Sequence, residues 1–248
     1  MSRKYSVAFL VMAMGCVVAA VRSWEPFHWF AVPLLHAALS FLLLALAYVG
    51  VGAVMLFKQP SGRQSIWGWV LFCPYFVLNA VAFRLYRLLS REPSWAQVAP
   101  RVFFGRRLTA QESVAGGWVG VLDLAGEFAE TRPLRELAGY RSLPLLDATA
   151  PTEPQLRVAL DWIGEAVAAG PVLIHCALGH GRSATVVIAY LLSVGQVATV
   201  AEGERLLQSL RSGVRLHPCQ RQRLRVYESR SATAATPDGS DPETALRP

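Results

Sequence analysis

Charge is scarce in this sequence. Asp, Glu, Lys and Arg make up 17% of its 248 residues, where a soluble domain is nearer a quarter. Apolar residues reach 53%, which excludes a disordered chain and points away from a purely soluble one. Cysteine is also sparse. Cys16, Cys73, Cys176 and Cys219 lack metal-ligand spacing and are too few to staple a fold of this length, which argues against a disulfide-built extracellular module. There is no internal repeat. Acid falls short of base, 17 Asp and Glu against 24 Lys and Arg for a net charge of +7, and this favours acidic partners such as anionic lipid, phosphate esters or nucleic acid.

The apolar excess is concentrated before about residue 90. Three runs carry no charge: Tyr5 to Val21, Pro26 to Phe57 and Ser65 to Phe83. A bilayer core of about 30 Å takes roughly 20 apolar residues in helix. Membrane spans are therefore expected at about 5–21, 31–57 and 66–83 within a membrane region 1–91. The first run also fits a secretory signal peptide, with Arg3 and Lys4 before it and VAA near its end. Trp24, Trp29, Trp67 and Trp69 lie at run ends, where indole rings favour the lipid–water interface. Pro74 is expected to kink the third span. His36 has no acidic partner within the spans, which favours packing over proton relay. Arg84, Arg87 and Arg91 share one helix face beyond the third span, fitting an interfacial helix or a span end with snorkelling arginines. Three spans place the two ends of the chain on opposite sides, and the arginine count leans toward a cytoplasmic C-terminal domain.

From about Pro100 the pattern changes to short β-like runs, RVFF (101–104), VGVLDL (119–124), LPLL (143–146) and VLIH (172–175), alternating with helical segments. Thr152 with Gln155 and Thr199 with Glu202 offer capping boxes, and Gly170 a helix stop. The expected fold class is α/β, a central mostly parallel sheet flanked by helices and preceded by about three transmembrane helices. The expected boundaries are a catalytic domain at 100–228 and a disordered tail at 229–248.

Chemistry is concentrated in VLIHCALGHGRSATVVIAYLL, residues 172–192. A buried strand delivers Cys176, and a glycine-containing loop leads to Arg182 and a helix. Such a turn points backbone N–H groups at an anion. Arginine can fork onto two phosphate oxygens. The helix N-terminus and the guanidinium also favour thiolate. A nucleophile and a phosphate site therefore coincide.

The segment HCALGHGRS resembles the signature loop of cysteine-dependent protein tyrosine phosphatases, particularly the dual-specificity branch. The resemblance covers about residues 100–228, including VFFG, VGVLDLAGEF, LPLLDATAPTEPQL and RSGVRLHPCQRQRLRVYE. It implies Cys176 as nucleophile, Arg182 as phosphate clamp, Ser183 as the hydroxyl assisting hydrolysis of phosphocysteine and Asp147 as general acid. The phosphate is expected to bind across Ala177, Leu178, Gly179, His180, Gly181 and Arg182. Asp123 competes for the acid role but reads better as a hydrogen-bonding residue at a strand end. The order of loop and acid excludes the low-molecular-weight phosphatases, and a rhodanese-like reading leaves Asp147 and Arg182-Ser183 unexplained. His175 is placed to tune the cysteine or simply to pack. Gln220 and Gln222 stay unassigned, and Cys219 is either a redox partner of Cys176 or inert. The chemistry requires no cofactor and no metal.

The expected partners are a phosphorylated protein or a phospholipid, together with the bilayer, and not nucleic acid. Relatives that cleave inositol-phosphate headgroups carry loop lysines, whereas Ala177, Leu178 and His180 stand here. A simpler headgroup such as phosphatidylglycerophosphate suits the loop better. A non-catalytic phosphate-binding membrane adaptor is the alternative of another class.

Overall fold

The computed structural model describes residues 3–235. Helix α1 (Arg3–Leu46) is followed by a short π-helical turn (Ala47–Val51), a 3₁₀ turn (Ala53–Leu56) and helix α2 (Ile66–Leu89). Along a straight helix Ser6 and Ala45 would lie about 58 Å apart. Instead Ser6 Oγ donates to Ala45 O at 3.1 Å, and the Phe9 and Phe41 rings are 6.1 Å apart. Residues Arg3–Val51 therefore fold back as a hairpin, with arms Arg3–Glu25 and His28–Val51. These two arms and α2 are each long and apolar enough to cross a membrane.

Pro74 interrupts α2, and Phe72 beside it leaves helical geometry at φ −119°. A proline cannot donate to the carbonyl four residues back. The freed Val70 carbonyl accepts a bond of 2.7 Å from His36 Nε2 on the second arm. His36 is thus a packing residue that repairs a break made by a proline.

The remaining chain builds a five-stranded sheet from β1 (Trp95–Ala99), β2 (Val102–Arg106), β3 (Gly120–Ala125), β4 (Gly139–Leu145) and β5 (Val172–Cys176), in the order β1-β2-β5-β3-β4. Every neighbour pair is parallel except β1–β2, which matches the expected fold class. Strand β5 is central and buried along its whole length, so VLIH is a continuous apolar run rather than an alternating one. Ile174 and Leu122 face the larger core with Val186, Val187 and Leu191. Leu173 and Val121 face a smaller one with Leu108, Trp118 and Leu134.

Helices α3 (Ala110–Ala115), α4 (Arg132–Arg135), α5 (Glu153–Ala169), α6 (Arg182–Ser193), α7 (Val200–Leu210) and α8 (Pro218–Ala235) complete the fold. Thr152 and Gln155 form the expected capping box. Thr199 caps α7 through Glu202 N, but the Glu202 carboxylate accepts from Ala198 N instead of Thr199 N, so the reciprocal half is displaced by one residue. The sheet begins at Trp95, ahead of the expected boundary at 100. Helix α8 runs on to Ala235, past the expected start of a disordered tail at Ser229. Ala232, Ala234 and Ala235 have the highest helix propensity, which a reading from polar composition overlooked. Residues 236–248 of that tail lie outside the described residues.

The segment between hairpin and α2 enters the catalytic fold. Lys58 is fully buried, and its Nζ donates to Asp123 Oδ2 at 2.5 Å and Ala125 O at 2.6 Å. Gln64 Nε2 donates to Gly126 O at 2.8 Å, and Glu130 N to Gly62 O at 2.8 Å. Removing one partner of a buried ion pair strands the other charge and costs about 3–5 kcal/mol. Lys58→Met in the full-length protein is therefore expected to lower the unfolding free energy by that much, and adding Asp123→Asn should recover part of it. Thermal and denaturant unfolding in detergent measure both. A loss below about 0.5 kcal/mol, typical of a surface site, would show that Lys58 does not sit inside the fold.

Candidate active site

The C-terminal end of β5 delivers Cys176, and Arg182 opens α6. The backbone between them is turned by its carbonyls. Ala177 O accepts from Arg107 N at 3.0 Å, Leu178 O from Arg211 Nη2 at 3.0 Å and His180 O from Arg215 N at 3.1 Å. With these carbonyls bonded outward, the loop N–H groups turn toward the space over the sulfur, forming an anion cradle. Gly179 N reaches Cys176 Sγ at 3.3 Å. Gly179 has φ +80°, and a Cβ there would run into Gly105 backbone and Arg211, so only glycine fits.

Arg182 is 1% exposed. Glu127 takes both terminal nitrogens, Nη1 at 2.7 Å and Nη2 at 2.6 Å. Leu145 O accepts from Nη1 at 3.0 Å, and Asp147 Oδ1 lies 3.3 Å from Nη2. Nε is buried with no partner, a donor left for an incoming oxygen. Burial disfavours the charge, but the Glu127 carboxylate, then Asp147, more than restore it, raising the pKa above its ordinary value.

Cys176 is buried, which by itself pushes its thiol up. The Arg182 guanidinium, the Ser183 hydroxyl at 3.5 Å and N–H groups of Ser183 and Gly179 outweigh burial and hold the pKa below the ordinary value. Cys176 lines a cavity of about 450 Å³, together with Asp147, Leu178, Gly181, Arg215, His217 and Arg221 among others. The structure thus brings Cys176, Arg182, Asp147 and Ser183 together, as the sequence predicts.

Asp147 is exposed, at 64% of its side chain, on the turn after β4. Ala148 beside it adopts φ 55°, a left-handed conformation costly for a residue with a Cβ. The turn is clamped on both sides. Tyr48 OH of the hairpin donates to Asp147 O at 3.0 Å. From α8, Cys219 Sγ donates to Ala148 O at 3.3 Å and Gln220 Nε2 to Thr149 O at 2.9 Å. Cys219 and Gln220 thereby gain a role, holding the turn after Asp147, that sequence alone did not give them. Asp123, the competing acid, is buried and bonded to Lys58 and to Tyr140 OH at 2.8 Å, away from the cavity.

His175 stands under the loop. Its Nδ1 donates to Cys176 O at 3.2 Å, and Nε2 lies 3.1 Å from Glu130 Oε2. Burial disfavours both charges, and mutual attraction reverses this, raising His175 and lowering Glu130. Asp123, Glu130 and His175 bring ligand-type atoms within 4.8 Å of one another. Lys58 Nζ already sits on Asp123 and His175 on Glu130, so the cluster fits a buried ion network better than a cation site.

His180 faces away from the cradle. Its Nε2 bonds to Glu92 Oε2 at 2.6 Å and Tyr86 OH at 3.2 Å. Glu92 also accepts from Arg211 Nη2 at 3.1 Å, Ser212 Oγ at 3.2 Å and Gly213 N. Burial pushes the Glu92 carboxyl up, but these donors, His180 foremost, hold it at about 2. Glu127, Glu92 and Lys58 were not read as site residues. Their only sequence signal is a lone charge beside a glycine, a proline or an apolar run.

A family model described as the dual-specificity phosphatase catalytic domain matches residues 128–230. Phosphatidylglycerophosphate phosphatase PTPMT2 of Arabidopsis thaliana is 29% identical over 177 residues, spanning 66% of this chain and 76% of that protein. Among solved structures, Tk-PTP in its active form is 32% identical with TM-score 0.50, covering 56% of this chain and 98% of that one. PTPMT1 in complex with PI(5)P shares the fold at 20% identity with TM-score 0.51, covering 58% of this chain and all of that one. A strand-end cysteine joined to a helix-opening arginine by an anion-cradling loop, in this fold, defines a cysteine-dependent phosphatase. The chain belongs to the dual-specificity phosphatase family, and apolar helices precede its catalytic part.

A lowered thiol pKa sets a pH dependence. An ordinary thiol near 8.5 loses roughly tenfold in thiolate per pH unit below that value. With its pKa held below the ordinary value, Cys176 should lose iodoacetate alkylation less steeply than that as pH falls from 9 toward neutral, and free phosphate should protect it. Arg182→Met should restore the ordinary dependence. Mass spectrometry of the modified peptide measures the rates, and a tenfold-per-unit fall in the wild type would contradict the assignment.

Proposed function

We propose that this protein hydrolyses the phosphate monoester of a membrane phospholipid through a phosphocysteine. Cys176 thiolate attacks phosphorus, an S–P bond forms and the P–O bond to the leaving group breaks. Asp147 gives its proton to the departing oxygen. Loop N–H groups from Ala177 to Arg182 and the Arg182 guanidinium stabilise the charge on the transferring oxygens. Water, deprotonated by Asp147 carboxylate, then attacks phosphorus. The S–P bond breaks, inorganic phosphate leaves, and Ser183 steadies the returning thiolate. No step needs a metal or cofactor.

The observation that carries the lipid reading is a second cavity of about 620 Å³ adjoining the first. It shares His217 and Pro218 with the catalytic cavity, and its other walls include Arg3, Lys4, Tyr5 and Ala8 of the hairpin. A headgroup phosphate over Cys176 would have its glycerol backbone beside an apolar helix with two cations at its start. PTPMT2 carries phosphatidylglycerophosphate in its name, and PTPMT1 was crystallised with PI(5)P. The loop here has no lysine, which suits one modest headgroup phosphate. We read the protein as membrane-embedded through its apolar helices.

Two experiments test this. In full-length protein, kcat/KM for phosphatidylglycerophosphate in mixed micelles should exceed that for phosphotyrosine and phosphothreonine peptides. Arg3→Gln with Lys4→Gln should lower the lipid value and leave an aryl phosphate unchanged. Phosphopeptides winning would overturn the lipid reading while leaving the phosphatase chemistry intact.

For the mechanism, Cys176→Ser should abolish turnover of every phosphate ester, because the hydroxyl is not a competent nucleophile here. Asp147→Asn should lower kcat by roughly 10²–10⁴-fold for poor leaving groups and less for p-nitrophenol. If Asp123→Asn shows that leaving-group dependence instead, the acid is misassigned.

A further inference from the structure

The geometry points to a two-crossing membrane anchor in which α2 lies along the catalytic domain, in the membrane plane, and only the hairpin inserts. The partner of α2's outer face is the bilayer, and the N-terminus lies on the same side as the active site. The inference does not depend on which phosphate ester is cleaved.

Both ends of α2 are bonded to one folded domain. Ahead of it, Lys58 is buried on Asp123, Gln64 reaches Gly126, and Glu130 reaches Gly62. Near its end, Phe83 packs on Phe128 with ring centroids 5.4 Å apart, and Tyr86 OH bonds to His180. Immediately after it, Glu92 is bonded to His180, Arg211 and Gly213. A helix that crosses about 30 Å of hydrocarbon puts its two ends in different aqueous compartments. A domain on one side cannot bond to both. The hairpin's open end supplies the independent second observation. Tyr48 OH bonds to Asp147 O, and the Tyr5 and His217 rings are 6.1 Å apart. Both the start of the first arm and the end of the second therefore meet the catalytic domain.

The surface of α2 fits this placement. Gly68, Phe72, Tyr75, Phe76 and Phe83 face inward and are buried. Ile66, Trp67, Val77, Leu78, Leu85 and Leu88 face outward, each 50 to 81% exposed. One apolar face along a whole helix, with indoles at its start, is the pattern of an interfacial helix. Arg84, Arg87 and Arg91 follow at the end, exposed and with no carboxylate partner among the described residues. They suit headgroup phosphates at the same depth.

Two crossings and three crossings differ in a parity that can be measured. Epitope tags on the N-terminus and C-terminus of the full-length protein should be digested together by protease added to sealed membrane vesicles of one orientation, and protected together in the other. Ser61→Cys, an exposed position in the loop before α2, should react with a membrane-impermeant maleimide from the side that exposes the C-terminal tag. Tags on opposite sides, or Ser61→Cys reacting from the side opposite the C-terminal tag, would overturn the inference. Phosphatase activity of the tagged protein, read in the same vesicles, separates this outcome from loss of the fold.

Discussion

Everything at the site hangs on one buried cation. Taking a guanidinium out of water costs several kcal/mol unless charge and hydrogen bonds answer it, and Arg182 is answered in a particular way. Glu127 occupies both terminal nitrogens and Leu145 O shares one of them, so the plane of the guanidinium is fixed before substrate arrives. The atom left over is Nε. A freely rotating arginine would lose much of its binding energy in ordering itself; this one has already met that cost through folding. The same charge lowers the Cys176 thiol, so one buried ion pair, Arg182–Glu127, governs both the guanidinium and the sulfur.

The apolar N-terminal part does more than hold the enzyme at a surface. It reaches the catalytic machinery at three separate points. Lys58 neutralises Asp123 beside the His175–Glu130 pair under the loop. Tyr48 holds the Asp147 turn. Tyr86 and Glu92 hold His180 on the outer side of the cradle. Each is a hydrogen bond or ion pair to a residue in or under the candidate site, and each comes from the apolar N-terminal part. A domain cut near residue 100 would lose β1 and all three contacts. The catalytic part is therefore not an independent module joined by a linker.

How much of this was legible in sequence follows from range. Cys176, the glycines and Arg182 lie within one loop, and strand, loop and helix are local patterns; their spacing was enough to read the site. Asp147 was reachable because its turn precedes a capped helix. The capping box at Thr152 was legible for the same reason. Glu127, Glu92 and Lys58 act on residues 55, 88 and 65 positions away, and a single sequence carries no record of such pairings. Hydropathy also measures only whether a helix tolerates lipid. It registers α2 as a span because both its faces are apolar, one exposed and the other packed on Phe128 and the hairpin.

That ambiguity bears on how the substrate arrives. A phosphatase acting on a soluble phosphoprotein gains little from an active site pressed against apolar helices, because the substrate approaches from water. A lipid phosphate cannot leave the headgroup plane without exposing its chains, at about 0.8 kcal/mol per CH₂, so the enzyme has to come to it. The hairpin's open end stands against the catalytic domain, with Arg3, Lys4 and Tyr5 beside the catalytic cavity. On the proposed lipid reading, Cys176 would thereby stand close to the headgroup phosphates. The contacts from Tyr48 and Glu92 tie the apolar segments directly to the Asp147 turn and to His180 of the Cys176–Arg182 loop, so whatever positions those segments also positions these two elements.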